Sequence, residues 1–333
     1  MKVLVTGGLG FIGSHTIVEL LNNNIEVVCI DNLTNSIEEI KSRITQITNK
    51  NFSFYNIDVT DYKALAKVFH EQNNINSVIH FAAYKSVSES VVKSLDYYHN
   101  NITGLLNILK LANEYNSNIV FSSSCTVYGE PKLLPITEDS ELVKPTSPYG
   151  NTKKICEEIL QDFTLNSQIK VVSLRYFNPV GAHESGLIGE LPIGVPQNLF
   201  PFVTQTAIGL REELTIYGND YDTPDGTCIR DYIHVVDLAN AHIKAIDYLK
   251  SMKINYDVFN IGTGKGISVL QVVNDFQRIT NVKLNYKFGP RRAGDIVKIW
   301  ADNKKALNVL KWEPKFELQD MIYSTWKWQK SYY

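Results

Sequence analysis

Tyr149 and Lys153 stand four residues apart, so on a helix they share one face. A free phenol has a pKa of about 10, and a phenolate near neutrality needs about 4 kcal/mol of differential stabilisation. The Lys153 ammonium and a second cation nearby can supply it together. Such a phenolate is a general base for a hydroxyl proton. Taken alone, Tyr-x-x-x-Lys also describes a solvated helix face. Its context is the run Phe121-Ser122-Ser123-Ser124, at the end of the fifth predicted strand. In alternating strand–helix chains the strand C-termini face the ligand crevice. Ser124 can therefore hydrogen-bond the same substrate oxygen as Tyr149.

A second constellation is Gly7-Gly8-Leu9-Gly10-Phe11-Ile12-Gly13. Gly7, Gly10 and Gly13 permit a tight turn and close backbone approach to a pyrophosphate, which then sits at a helix N-terminus where free N–H groups favour anions. A glycine-rich turn can also be an ordinary connection. Here a strand precedes it, a helix follows, and the next strand ends in Asp31. A carboxylate there can accept from both ribose hydroxyls of an adenosine and repels a 2′-phosphate, so NAD is expected over NADP. A cationic nicotinamide ring would also be the second charge that Tyr149 needs. Two readings stand for Asp58: a partner for the adenine amine, or a turn or N-cap residue before the next helix.

The elements that must position these groups follow from periodicity. Near-continuous apolar runs at 2–6, 26–31, 52–55, 77–83, 118–123 and 170–177 read as parallel strands covered on both faces. Between them, 13–21, 62–72, 97–114 and 151–165 carry helical spacing. This predicts an α/β fold: a Rossmann-type doubly wound parallel sheet with a smaller C-terminal α/β substrate lobe. We expect residues 1–177 to form the NAD-binding domain and 178–333 the lobe, with some later segments returning to the sheet. Residues 178–201 are rich in Gly and Pro and read as loop; helices are expected at 236–249, 268–280 and 319–329, and a strand at 258–261.

A net charge of −2, with 33 basic residues scattered along the chain, gives no reason to expect nucleic acid or an anionic membrane. The four cysteines, Cys29, Cys125, Cys156 and Cys228, form no C-x-x-C pair, so no metal site is expected and free thiols suit a reducing compartment. Nothing resembles a leader or a bilayer span, so the cytosol is expected. Cys125 adjoins Ser124 without a base to activate it and reads as packing.

These motifs resemble the extended short-chain dehydrogenase/reductases, and closely the UDP-glucose 4-epimerase family, almost end to end. The likeness is carried by Val5 to His15, Phe121 to Ser124, Thr126-Val127-Tyr128-Gly129, Ser147-Pro148-Tyr149-Gly150, Arg175 to Ala182, Arg230 to Val235, and Arg291-Arg292-Ala293-Gly294-Asp295. The stretch Asn178-Pro179-Val180-Gly181-Ala182 and the C-terminal arginines are the more specific part. The resemblance implies epimerisation at C4 of a UDP-hexose through a 4-keto sugar, with Tyr149, Lys153 and Ser124 catalytic. It implies an NAD site lined by Phe11, Ile12, Asp31, Asn32, Asn35, Ser36, Asp58, Val59, Phe81, Ala82, Ala83, Lys85, Asn100 and Phe177, with the glycine turn, Ser124, Tyr149 and Lys153. It implies that Asn178, Asn198, Leu199, Thr215, Ile216, Tyr217, Arg230, Arg292 and Asp295 hold the UDP half, and that the protein is a homodimer through 97–114 and 151–165. Two arginines suit a diphosphate, Tyr217 the uracil and Asp295 ribose hydroxyls.

Within that resemblance, Asp231 and His234 read as a satisfied core pair. Gly262-Thr263-Gly264-Lys265-Gly266 lacks the spacing of a nucleotide-binding loop and reads as a turn before an N-cap at Ser268. Family members restricted to the glucose/galactose pair usually carry Tyr seven positions beyond Arg292; here Ile299 stands there, so the resemblance leaves room for N-acetylated UDP-sugars. Rival readings are a dehydratase, expected to carry an Asp-Glu pair where this chain has Cys125-Thr126, a decarboxylase, a uronate epimerase, or an inactive NAD-sensing regulator.

Overall fold

Successive residues of a strand face opposite sides of a sheet, and here both sides are covered. In β1 (Lys2–Thr6), Val3 and Val5 enter one core with Ile17, Leu20, Leu238 and Ile246, while Leu4 enters another with Leu65, Phe69, Leu105 and Ile108. The strand must therefore be apolar throughout. The computed structural model describes residues 1–292 and 294–333; Ala293, inside the C-terminal arginine motif, lies outside the described residues.

After β1 come α1 (Phe11–Asn22), β2 (Glu26–Asp31), α2 (Glu39–Thr48), β3 (Ser53–Asn56), α3 (Tyr62–Gln72), β4 (Ser77–His80), α4 (Val87–Val92), α5 (Ser94–Tyr115) and β5 (Asn118–Ser124). Then follow α6 (Pro148–Leu165), β6 (Val171–Tyr176), β7 (Asn178–Val180), α7 (Leu199–Ala207), β8 (Leu214–Tyr217), β9 (Ile229–Arg230) and β10 (Tyr232–His234). The chain closes with α8 (Val235–Ser251), β11 (Tyr256–Ile261), β12 (Ile267–Ser268), α9 (Val269–Thr280), β13 (Tyr286–Gly289) and α10 (Leu318–Tyr332).

Seven strands form one sheet in the order β11-β6-β5-β4-β1-β2-β3, every neighbouring pair parallel. The order reverses between β1 and β4, which opens a crevice at their carboxyl ends. Helices α1, α2 and α8 cover one face, and α3, α5 and α6 the other. Asn49, Asn116 and Asn281 take the left-handed conformation just after α2, α5 and α9.

The predicted parallel sheet and its first six strands are present, with ends shifted by a few residues. The strand expected at 77–83 stops at His80, because Phe81 to Ala83 turn towards the glycine loop. The strand expected at 258–261 starts at Tyr256 and extends the main sheet beside β6. Residues 178–201 are not all loop: β7 pairs with β10, and α7 begins at Leu199. Periodicity also misses α2, which buries only Ile40, Ile44 and Thr48, and the β8–β13 pair, whose partners lie far apart in sequence. The lobe has its own core of Val180, Phe200, Ile216, Tyr232, Phe276 and Met321. Among the described residues no helix is long and apolar enough to cross a membrane.

Burial holds four histidines neutral: His15 and His80 are lowered to about 3, and His234 and His242 to about 4. Below about pH 6.5 the unfolded chain binds protons that the folded protein refuses. Their contribution to stability is thus complete above that pH and is lost as pH falls towards 4. Each adds a slope of up to about 1.4 kcal/mol per pH unit in this window. The urea midpoint should drop clearly between pH 7 and pH 5; an unchanged midpoint would contradict this reading.

Candidate active site

At the carboxyl end of β1 the backbone is packed too tightly for side chains. Gly7 has φ +66°, and a Cβ there would lie 2.8 Å from the Ala82 nitrogen; a Cβ on Gly13 would lie 2.3 Å from the Gly7 carbonyl oxygen. Gly10 is the N-cap of α1 and offers no side-chain cap, and no acid occupies the first turn. The leading amides of α1 are therefore left for a ligand, and an anion is the partner they favour. These residues fit a dinucleotide pyrophosphate.

Asp31 ends β2 and is buried. Its carboxylate accepts from the Leu9 amide at 3.0 Å, the Leu33 amide at 3.0 Å and the Ser36 hydroxyl at 2.7 Å. The negative charge is thus fixed beside the glycine turn. Asp58 accepts from the Thr60 amide and hydroxyl and from Asn32 Nδ2 at 2.8 Å. Burial raises its carboxyl, but these hydrogen bonds win and hold it below the usual range. The N-cap of α3 is Asp61, so Asp58 is a turn residue that also ties Asn32 in place. Opposite the glycines, Phe81 and Ala82 donate to Thr6 and lead into Ala83 and Lys85. Asn100 lies on α5 and donates to Asn101.

Ser124 is the last residue of β5, and its hydroxyl caps a turn of 3-10 helix at Cys125–Tyr128. Tyr149 follows the Ser147 cap and Pro148 in the first turn of α6. Gly150 lets this turn approach Thr126, since a Cβ there would lie 3.1 Å from the Thr126 carbonyl oxygen. Lys153 is buried one turn on. Its ammonium donates to the Ser122 carbonyl at 2.7 Å and lies 4.9 Å from the centre of the Phe121 ring. Burial lowers Lys153 to about 8, against the opposing pull of Cys156 and Glu157. Tyr149 goes the other way: burial raises it to about 12, although the Ser124 hydroxyl pulls it down. The drop to neutrality expected from the sequence is therefore not supplied by Lys153 alone. A second cation is what the sequence reading calls for, and a bound nicotinamide ring would supply it. Cys125 is likewise raised to about 12 by burial and is no nucleophile.

In the lobe, Asn178 opens β7, Asn198 stands at the N-cap position of α7 ahead of Leu199, and Thr215, Ile216 and Tyr217 lie on β8. Arg292 grips Asp295 with two bonds, at 2.7 and 3.1 Å, and Arg230 approaches the same carboxylate at 3.7 Å. The Arg292 guanidinium lies 5.8 Å from the centre of the Tyr217 ring. The two arginines, Asp295 and Tyr217 are thus brought into one cluster. Phe177 and Ile299 share a buried cluster with Cys125, Val127 and Tyr128.

Asp231 and His234 are structural. Asp231 accepts from the Thr263, Gly264 and Ala301 amides; His234 caps α8 and contacts Ser324. Ser268 caps α9, as the turn reading of 262–266 requires. Sequence reasoning missed Glu190, which accepts from both Lys85 and Asn198. A single acid in a Gly- and Pro-rich stretch gives no signal.

A doubly wound sheet with a dinucleotide cradle, a Tyr-Lys-Ser set and an arginine-bearing lobe defines the nucleotide-sugar short-chain dehydrogenase/reductases. The family model for GDP-mannose 4,6 dehydratase matches residues 4–325. UDP-glucose 4-epimerase of Bacillus subtilis is 50% identical over 99% of this chain and 97% of its own, and that of Dictyostelium discoideum 49% over 98% and 95%. The crystal structure of UDP-glucose 4-epimerase from Bifidobacterium longum, in complex with NAD+ and UDP, superposes with a TM-score of 0.96 at 47% identity, covering 99% and 98% of the two chains. The UDP-Glc/GlcNAc 4-epimerase of Campylobacter jejuni gives 0.84 at 36%, covering 99% of each. The chain belongs to the UDP-glucose 4-epimerase family.

The cradle carries a measurable cofactor preference. NADP should bind at least about tenfold more weakly than NAD, the factor that 1.4 kcal/mol of repulsion at Asp31 produces. Lys153→Met should lower the dinucleotide that copurifies. Equal affinities, measured by calorimetry, would remove Asp31 from this role.

Proposed function

We infer that the protein is an isomerase that inverts C4 of UDP-glucose and UDP-galactose, with NAD as cofactor. The observation that carries this reading is that the Ser124 hydroxyl at the end of β5 acts on Tyr149, with Lys153 buried one turn on along α6, in a sheet whose first turn is the glycine cradle. NAD held at the glycine turn and Asp31 would supply a hydride acceptor and donor for C4 of the sugar. Tyr149 removes the proton of the 4-hydroxyl and later gives it back, with Ser124 hydrogen-bonded to the same oxygen. Lys153 holds positive charge behind the phenol and anchors the cofactor ribose. Arg230 and Arg292 take the diphosphate and Tyr217 the uracil, so UDP stays held while the 4-keto sugar turns over its other face. Binding energy far from the reacting carbon makes that turn possible. Net redox is zero, which favours a cofactor that is never released. The assembly is a homodimer through α5 and α6, and Leu95 and Leu106 on α5 are exposed apolar residues that a partner would cover. The four free, buried cysteines suit the cytosol as the compartment.

A second reading concerns the sugar C2 position. Ile299 is only 2% exposed and packs in a cluster with Phe177 and Cys125. It is smaller than the Tyr of restricted family members, which supports turnover of UDP-N-acetylglucosamine, more slowly than of UDP-glucose.

Purified protein incubated with UDP-galactose, without added NAD, should yield UDP-glucose. Tyr149→Phe should lower kcat by about a hundredfold or more and leave the UDP dissociation constant nearly unchanged. A variant within a few-fold of wild type would remove Tyr149 as the base. For the acetylated sugar, the measurement is kcat/KM in wild type and in Ile299→Tyr. Overfilling this packed cluster costs about 1–3 kcal/mol, so the variant should lose the acetylated sugar and keep the unsubstituted one. If wild type ignores the acetylated sugar, Ile299 is packing alone.

A further inference from the structure

Residues 182–198 cross from the sheet to the lobe, and one acid in this stretch contacts both walls of the crevice. On the cofactor side, Lys85 follows the segment that packs against Gly7; its ammonium lies 3.2 Å from Glu190 Oε1. On the substrate side, Asn198 Nδ2 donates to the same oxygen at 2.6 Å. Asn198 stands at the N-cap position of α7, and Phe200 of that helix is in the lobe core with Ile216 of β8. A second bridge runs alongside, from the Ser88 hydroxyl to Gln197 Oε1 at 2.9 Å.

The backbone at Glu190 is itself fixed. Trp328 Nε1 of α10 donates to its carbonyl at 3.2 Å, and Gly189 packs so closely on the Trp328 ring that a Cβ would lie 2.5 Å away. Arg43 of α2 lies over the same ring at 5.5 Å and donates to the Leu187 carbonyl. The Glu190 side chain is 9% exposed, so its charge is screened far less than that of a surface acid. A carboxylate anchored in this way has little freedom, and both of its donors inherit the restriction.

We propose that Glu190 is a positioning residue that couples the two sides of the site: Lys85 fixes its carboxylate, and the carboxylate in turn fixes the Asn198 amide for the substrate. This rests on the UDP-sugar reading above. The Lys85–Glu190 and Asn198–Glu190 contacts act in series, so removing either link disconnects Asn198 from the cofactor wall. Coupling of this kind appears as non-additivity between the two links.

The test is a double-mutant cycle on the holoenzyme with Lys85→Met, Glu190→Gln and the pair, reading the UDP dissociation constant by calorimetry. Each single variant should weaken UDP binding by about fivefold, the lower end of typical coupling, and the pair should be no weaker than either alone. In Glu190→Gln, KM for UDP-galactose should rise to match, while kcat of that variant stays within about twofold, as expected when binding shared by ground and transition states is lost. A merely structural defect would lower kcat or the amount of folded protein instead. Glu190→Gln is isosteric, and Lys85→Met changes an exposed side chain, so the link is read from both ends. Effects that multiply, or that leave UDP affinity unmoved, overturn the proposal. If wild type neither binds UDP nor converts UDP-galactose, it is the functional reading that fails.

Discussion

Arg175 and Glu157 are buried together beneath the catalytic helix, and much of the site depends on that pairing. Two charges removed from water must satisfy each other almost completely, and breaking such a pair by removing one partner costs about 3–5 kcal/mol. Glu157 sits one turn after Lys153 on α6 and is gripped by Arg175 of β6 at 2.6 Å. It also accepts from Ser123 of β5. The second arm of Arg175 donates to the Tyr128 hydroxyl at 2.8 Å, and Tyr128 donates to Asn260 of β11. One network thus fastens α6 to three strands. Tyr149 and Lys153 inherit their positions from it, and so does Ser124, which lies between Ser123 and the turn that carries Tyr128.

With the helix fixed, electrostatics decides which groups are charged. Burial discourages every ion in this pocket. It raises Tyr149 and lowers Lys153, so the pair resists being a phenolate and an ammonium at once. The Ser124 hydroxyl and the Glu157 carboxylate oppose that trend from either end. A cofactor bringing positive charge to the crevice completes the balance. On the proposed reading, the base strength of Tyr149 would then depend on cofactor occupancy.

The lobe is held by a second buried anion. Asp231 collects the Thr263, Gly264 and Ala301 amides and the Thr263 hydroxyl. It thereby joins β10 to the turn after β11 and to the segment that bears Ile299. The antiparallel β9–β12 pair and the bond from the Ile299 amide to the Ile229 carbonyl continue the same construction. Arg230 is thus delivered to Asp295 and Arg292 by backbone that has few alternatives. Glu190 closes the remaining side.

The sequence by itself determined the parallel sheet, because strands buried on both faces have to be apolar at every position. It determined the glycine turn, where no other residue fits, and the Tyr149–Lys153 spacing, which a helix converts directly into proximity. It also carried the cap at Ser268, which is local; the readings of Asp231 and His234 as satisfied core residues hold, but their partners at Thr263, Gly264, Ala301 and Ser324 lie far along the chain. Only the tertiary structure decided that Asp61, not Asp58, caps α3, and that Tyr149 is raised in the protein by itself. Only there do β8 and β13 pair, or Lys85 and Asn198 meet on one oxygen of Glu190. Local rules reach as far as a turn of helix or the alternation of a strand. Burial, long-range pairing and the sharing of one acceptor depend on which distant segments the closed core brings together.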